Sequence, residues 1–186
     1  MKIGLYPGSF NPVHKGHISI IGKLLNDQII DKIIIIPLNN HPHKNIAETL
    51  NKRIDMLKLY ETENIIIENN SSIKYTYEIM DKYKNKYKDN DIYYIIGSDN
   101  LESIDRWKNA KEVLENKFIV IARPGYNASE LITKKRLNGN NFIIIDSNYN
   151  ISSTTIREKV KNSENVDDFI DQEIYNYIIN NHLYTE

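Results

Sequence analysis

Short runs of β-branched residues recur along this chain without the polar alternation that marks a half-exposed strand, and three of them contain Ile-Ile-Ile. Continuous apolar runs are typical of strands buried on both faces, which indicates a parallel sheet with helices on both sides. The predicted strands are Lys2–Tyr6, Lys32–Pro37, Ile65–Glu68, Ile92–Ile96, Phe118–Ala122 and Phe142–Ile145.

Segments with helical spacing of apolar residues separate these runs. Six strands joined by right-handed crossovers predict an α/β fold with a doubly wound, mainly parallel sheet of about six strands and helices on both faces. With 186 residues and no repeat or composition break, we expect a single domain over residues 1–186. The predicted helices are Ile18–Leu25, Ala47–Glu61, Tyr75–Tyr87, Leu101–Glu115 (one short helix or a pair), Thr154–Lys161 and Phe169–Asn180.

Composition excludes several classes of protein. The chain has 24 basic and 25 acidic residues, so no basic excess favours nucleic-acid binding. It contains no cysteine, which excludes a disulfide framework and a thiolate metal site. Apolar runs such as Ile33–Ile36 are far shorter than the ~20 residues that span a bilayer, and the N-terminus begins with a strand rather than a secretory signal. We expect a cytoplasmic protein without nucleic-acid or membrane partners, which could also form homo-oligomers.

A turn rich in Gly and Pro, Gly8–His17, connects the first predicted strand to the first helix. Such turns present free backbone N–H groups and a helix dipole to anions, and in doubly wound sheets ligands lie at this carboxyl end of the strands. His14 and His17 are three residues apart, so both imidazoles face one side of the first helical turn and can reach the same anion. A surface turn is the ordinary explanation for an isolated pair of this kind. A zinc site is disfavoured because no nearby carboxylate or cysteine completes it.

A second anion-binding element is predicted after the last strand, at Ile151–Glu158. Hydroxyl residues at a helix start are ordinary caps, and Thr155 with Glu158 fits a capping box. Arg157 is different, because a cation in the first turns opposes the helix dipole and is better tolerated beside a bound anion. From the residues alone, the functional and the structural explanations of this element remain equally open.

Both elements carry family motifs. Gly8–His17 is similar to the signature G-[ST]-F-[DN]-P-x-H-x-G-H of the HxGH nucleotidyltransferases, with Asn11 where many members carry Asp. Residues 151–157, Ile-Ser-Ser-Thr-Thr-Ile-Arg, resemble the ISSTxIR motif of one branch of that superfamily. The resemblance implies a Rossmann-like fold in which both elements grip the triphosphate of a nucleotide.

Further matches resemble the bacterial-type nicotinate mononucleotide adenylyltransferases. They are the loop 37–44 ending in Pro-His-Lys, the R-x-x-M-L helix at 53–57, the Tyr-Thr turn at 75–78, IGSD at 96–99 followed by Trp107, and ARPG at 122–125. The resemblance implies catalytic roles for His14, His17 and Arg157. It implies ATP or phosphate binding by Gly8, Ser9, Phe10, Lys44, Gly97, Asp99, Arg123, Ser153 and Thr154, and mononucleotide binding by Asn39, Thr76, Trp107 and Lys108.

The implied reaction is adenylyl transfer from ATP to nicotinate mononucleotide, giving deamido-NAD and pyrophosphate, with Mg²⁺ bound through the ATP phosphates. Phosphopantetheine adenylyltransferases begin with a similar signature but usually carry threonine at the position of His14. Cytidylyltransferases fit less well, and a nucleotide-binding module without turnover would not need both motifs. The chain departs from the family at Asn11, in the polar stretch Ile104–Arg106 and in the segment Lys161–Glu173, which lacks the usual glycine and proline.

Overall fold

The computed structural model describes residues 1–39, 49–69, 75–147 and 151–185. Within these ranges six strands form one sheet in the order β3-β2-β1-β4-β5-β6, and every neighbouring pair is parallel. The predicted parallel α/β arrangement is therefore confirmed. The strands are β1 (Lys2–Gly8), β2 (Lys32–Pro37), β3 (Ile65–Ile67), β4 (Asp91–Gly97), β5 (Lys117–Ile121) and β6 (Phe142–Ile145).

The strand order reverses between β1 and β4. The chain runs outward from β1 through β2 to β3, then returns to place β4 against the other side of β1, with Leu5 opposite Tyr94. The carboxyl ends of these two strands, Gly8 and Gly97, flank the crevice that such a reversal creates. Ligands bind at this position in doubly wound sheets, so the topology points to one edge of the molecule.

Helices connect the strands at most of the predicted positions. The segment predicted over Leu101–Glu115 instead forms two 3₁₀ turns, Ser98–Glu102 and Ile104–Arg106, before a five-residue helix. The N-terminal end of the predicted helix Ala47–Glu61 lies outside the described residues. The helices are α1 (Lys15–Asn26), α2 (Leu50–Lys58), α3 (Thr76–Lys86), α4 (Ala110–Leu114), α5 (Ala128–Lys134), α6 (Ser153–Lys161) and α7 (Gln172–Asn180).

Helix α5 was not predicted from the sequence. It has only seven residues, and its buried contribution is limited to Ala128 and Ile132, too few to produce a clear helical period. Its start is nevertheless a standard one, because the Asn127 side chain accepts a hydrogen bond from the Glu130 N–H at 3.1 Å.

Two apolar cores lie on opposite faces of the sheet. Ile33 and Ile35 of β2 belong to one, and Ile34 and Ile36 belong to the other. Consecutive strand residues point to opposite faces, so their common burial confirms that helices cover both sides. The edge strand β6 is the exception, since Ile143 and Ile144 each remain 38% exposed. Within the described ranges, no helix combines enough length and apolar character to cross a membrane.

Candidate active site

The two signature histidines meet at the start of α1. His14 is the N-cap residue and His17 is the third helical residue, so their rings stack with centroids 3.7 Å apart and planes 25° from parallel. The His14 backbone N–H donates to His17 Nδ1 at 3.3 Å. The prediction that both imidazoles face one side of the first turn is confirmed.

The buried ring of Phe10 packs against this histidine pair. Its ring is 2% exposed and meets the edge of His17 at a centroid distance of 4.9 Å and that of Tyr6 at 5.4 Å. The backbone of Phe10 has φ 45°, a conformation that bulky residues rarely adopt. A Cβ on Gly8 would come within 2.9 Å of this ring, so glycine is required there. Phe10 was predicted to bind phosphate, but its buried side chain leaves only its backbone for a ligand.

His14 is electrostatically unlike an ordinary histidine. It is 6% exposed, and this burial, with a smaller contribution from the nearby Arg123 cation, lowers its pKa from 6.5 to about 4. Its Nδ1 atom is buried without a hydrogen-bond partner in the described part of the chain. At neutral pH His14 is therefore a neutral imidazole. A histidine with an ordinary pKa is easily charged near neutral pH, but burial removes that charge from His14, which residue type alone does not reveal.

Helix α6 brings the second predicted element onto the same turn. Ser153 Oγ donates to the Pro12 carbonyl at 2.9 Å, and Arg157 Nη1 donates to the Asn11 carbonyl at 2.8 Å. Arg157 Nη2 also donates to Thr154 Oγ1 at 3.2 Å. Two motifs about 140 residues apart are thus in direct contact, as the sequence predicted.

The predicted cap of α6 was wrong. The helix begins at Ser153, and the side chain of Ser152 accepts from the Thr154 N–H at 3.2 Å. Thr155 and Glu158 therefore lie inside the helix rather than forming its capping box. Residues 152–155 all carry hydroxyl groups, so each could cap the helix, and sequence spacing alone could not show which one does.

Arg53 is a site-forming residue that the sequence analysis did not select. It is fully buried, and its Nη1 donates to the carbonyls of Ser9 at 2.5 Å and Leu38 at 3.0 Å. Burial lowers its pKa. A signal was present, because Arg53 shares a helical face with Met56 and Leu57, which are both fully buried. A cation on an apolar face requires buried acceptors.

Gly97, Asp99 and Arg123 meet at the carboxyl ends of β4 and β5. Asp99 Oδ1 lies 3.1 Å from Arg123 Nε, and the Arg123 N–H donates to the buried Ser98 hydroxyl at 2.9 Å. A Cβ on Gly97 would lie 2.3 Å from both Arg123 Nε and Asp99 Oδ1, so a larger residue there would displace this ion pair. The three residues predicted to bind nucleotide therefore form one cluster beside the histidine turn.

Three of the four predicted mononucleotide residues lie beside tyrosines. Trp107 is half-buried and meets the ring of Tyr94 edge-on, with centroids 6.5 Å apart. The Tyr94 hydroxyl donates to Thr76 Oγ1 at 3.3 Å. Lys108 Nζ lies 4.2 Å above the ring of Tyr75. Tyr94 was missed because a tyrosine inside a strand reads as core, although its position shortly before the Ile-Gly-Ser-Asp motif was a usable signal.

The structure describes the loop after β2 only as far as Asn39. Asn39 is exposed just beyond β2, near the point where the Leu38 N–H donates to the Gly8 carbonyl at 2.8 Å. Lys44, predicted to contact phosphate, lies outside the described residues.

The segment 161–173, whose role the sequence left open, packs against the start of α1. The Lys15 N–H donates to the Phe169 carbonyl at 2.8 Å, and Lys15 Nζ donates to the Asp167 carbonyl at 2.6 Å. Ser163, with φ 57°, adopts the left-handed conformation after α6 that glycine usually supplies. The missing glycine therefore does not prevent the chain from turning there.

Comparisons with known proteins show what the whole chain is similar to. The chain matches the cytidylyltransferase-like family over residues 5–159. It is 39% identical over 184 residues to a probable nicotinate-nucleotide adenylyltransferase of Fusobacterium nucleatum, covering 94% of this chain and 95% of that one. It is 33% identical over 198 residues to a protein of the same description from Clostridium acetobutylicum, covering 98% of each.

Among solved structures, the nicotinic acid mononucleotide adenylyltransferase of Plasmodium falciparum complexed with NaAD matches with a TM-score of 0.82. The match covers 98% of this chain and 97% of that chain at 24% identity. The complex of that enzyme with APC matches with a TM-score of 0.79. At this level of identity the likeness establishes the fold.

Proposed function

The chain belongs to the nicotinate-nucleotide adenylyltransferases within the cytidylyltransferase-like family, and from this membership we propose that it transfers the adenylyl group of ATP to nicotinate mononucleotide, releasing pyrophosphate and forming deamido-NAD. The observation that carries the proposal is the direct contact between its two phosphate motifs. Ser153 and Arg157 donate to the turn that presents His14 and His17, which concentrates donors at one edge of the sheet.

The ATP half of the proposed site uses the start of α1 and the start of α6. His17 and Arg157 would contact the triphosphate, with Ser153 and Thr154 beside them at the N-terminal end of α6. Helix N-termini and charged donors stabilise anions, and the departing pyrophosphate is the most charged group of the reaction. Asp99 lies next to the crevice, where it would accept from sugar hydroxyls, with Arg123 paired to it.

The reaction needs positioning more than acid–base chemistry. The nucleophile is a phosphate oxygen of the mononucleotide, which is ionised at neutral pH and requires no general base. The residues must align that oxygen with the α-phosphorus and meet the charge that develops on the leaving group. His14, neutral at pH 7, would act as a hydrogen-bond donor or acceptor rather than as a cation.

Mg²⁺ would enter this site bound to the phosphates of ATP rather than to protein side chains. Within the described ranges, no group of three or more His, Asp or Glu side chains could hold a metal ion. Mg²⁺ bound to ATP phosphate oxygens would supply charge neutralisation, and such an ion keeps several waters instead of a protein cage. The residues above would then bind the phosphates that carry it.

The mononucleotide half of the proposed site lies between α3 and the turn that carries Trp107. The Trp107 indole would stack on the pyridine ring, and the backbone at Thr76 would read its carboxylate. Lys108, beside the Tyr75 ring, adds a positive charge that favours nicotinate over the neutral amide.

The test is pyrophosphate release by the purified chain with ATP and Mg²⁺, in parallel reactions with nicotinate mononucleotide, nicotinamide mononucleotide and phosphopantetheine. We expect a clear preference for nicotinate mononucleotide and loss of release in a folded Arg157→Ala variant. Turnover only with phosphopantetheine would reject the proposed acceptor. ATP binding without pyrophosphate release from any of the three would reject the enzymatic proposal.

A further inference from the structure

The turn before α1 is tied to the rest of the protein through its carbonyl groups. The carbonyls of Ser9, Asn11 and Pro12 each accept a hydrogen bond from a distant side chain. Carbonyl oxygens repel anions, so a turn that receives phosphates benefits when other donors engage them. Asn11 differs from the other two because its side chain is also held.

The partner of the Asn11 side chain comes from the end of the chain. Beyond α7, Leu183 is fully buried and Tyr184 is 7% exposed, so the last turn enters the core instead of extending into solvent. The Tyr184 hydroxyl donates to Asn11 Oδ1 at 2.7 Å, and Asn11 itself is only 3% exposed. The two residues are 173 positions apart in sequence.

This hydrogen bond is the first of two that lead to Arg157. A donor on Oδ1 fixes the orientation of the planar Asn11 amide, because its oxygen and nitrogen ends are chemically different. The backbone carbonyl of the same residue accepts from Arg157 Nη1 at 2.8 Å.

We propose that Tyr184 is a positioning residue for the triphosphate half of the site: its hydroxyl fixes Asn11, and Asn11 in turn orients Arg157. The inference rests on the proposed function for the identity of the ligand. The family signature includes Asn11 but assigns no role to the tyrosine near the other terminus.

The test compares Tyr184→Phe, which removes one hydroxyl and keeps the ring, with Tyr60→Phe. The Tyr60 hydroxyl donates to Asp171 Oδ2 at 2.6 Å, so this hydrogen bond also tethers the C-terminal region but ends on Asp171 rather than on the turn. One buried hydrogen bond changes an equilibrium by about fivefold, so we expect Tyr184→Phe to raise the MgATP dissociation constant and lower kcat/KM for ATP by about that factor. The KM for nicotinate mononucleotide should stay unchanged. Tyr60→Phe should lower thermal stability while leaving both ATP parameters at the wild-type value.

A double-mutant cycle with Asn11→Ala separates positioning from general destabilisation. If Tyr184 acts through Asn11, the double variant binds MgATP no more weakly than Asn11→Ala alone. Additive losses, or a folded Tyr184→Phe with wild-type ATP affinity and kcat/KM, would overturn the inference while leaving the proposed function intact. If the wild-type chain binds MgATP but releases no pyrophosphate, the proposed function fails. The MgATP dissociation constants of the same variants, measured by calorimetry, would still decide the role of Tyr184.

Discussion

The two halves of the proposed site are held in different ways. In the phosphate half, directional hydrogen bonds from Arg53, Ser153, Arg157 and Tyr184 reach one short turn from three distant parts of the chain. In the mononucleotide half, Trp107 lies between a 3₁₀ turn and a five-residue helix, and its indole packs edge-on against the Tyr94 ring.

The difference follows from what each half must do. Stabilising charge in a transition state requires donors placed to within tenths of an ångström, and bonded networks provide that. Recognising a flat ring requires a stacking surface, which tolerates small displacements. Loss of a side chain that contacts the phosphates directly should therefore reduce turnover, and variants in the mononucleotide half should weaken binding.

The strongest challenge to this division is His17→Ala. The His17 ring stacks on His14 and on the edge of Phe10, so it is a fixed donor next to the triphosphate position. Loss of one such charge-stabilising group lowers kcat by about a hundredfold or more. Steady-state kinetics with saturating ATP and nicotinate mononucleotide measure this decrease in kcat. His182→Asn, which alters an exposed histidine at a backbone φ of 52° that asparagine tolerates, should keep kcat. A folded His17→Ala variant with near-normal kcat would remove His17 from the chemistry.

A second prediction concerns the pH dependence of stability. His14 has a pKa of about 4 in the folded protein and an ordinary value of 6.5 when unfolded, so the unfolded chain binds more protons between these values. The free energy of unfolding therefore falls as pH drops through this window, by about 2 kcal/mol between about pH 7 and pH 5.

Urea unfolding of the wild type and His14→Gln at both pH values measures this contribution. The variant should lose most of the pH dependence in this range, and His182→Asn should retain it. Equal slopes for the wild type and His14→Gln would mean that His14 is not a buried neutral imidazole, and the phosphate half would be more solvated than its geometry indicates.

The third prediction moves to the mononucleotide half. Trp107→Ala removes the stacking surface but leaves Tyr94 and Thr76 in place, and base–aromatic stacking contributes roughly 1–3 kcal/mol. We expect the KM for nicotinate mononucleotide to rise about tenfold, with kcat and the KM for ATP changed much less. Trp107→Phe, which keeps an aromatic ring, should restore part of the affinity. An unchanged KM in Trp107→Ala would show that the indole only packs against Tyr94.

Sequence reasoning predicted the sheet and the two motifs of the phosphate half, but not every residue that holds that half together. Strands such as Lys32–Pro37 were predicted because a continuous apolar run is a local signal, and both phosphate motifs were found because their residues are adjacent in sequence. Tyr184 and Arg53 were not selected, since their roles depend on partners 173 and 44 positions away. No spacing rule connects residues so distant.

Burial was the second limit. The charge state of His14 depends on how completely the fold encloses it, and the sequence alone does not show that this residue is only 6% exposed. Residue type sets the ordinary pKa, but the surrounding protein sets the shift. Sequence reasoning thus identified which residues gather at the site better than it identified their electrostatic state.

The smallest expected effect tests whether charge assists ring recognition in the mononucleotide half. Lys108 Nζ lies 4.2 Å above the ring of Tyr75, the residue that precedes Thr76, in an exposed cation–π contact worth about 0.5–1 kcal/mol. Lys108→Gln should raise the KM for nicotinate mononucleotide about threefold and leave the KM for nicotinamide mononucleotide unchanged, because only nicotinate carries a carboxylate. Lys111→Gln, an exposed lysine on the next helix, should change neither value. Equal effects of Lys108→Gln on both mononucleotides would assign Lys108 to the shape of the pocket, and recognition of the carboxylate would then rest on the backbone at Thr76.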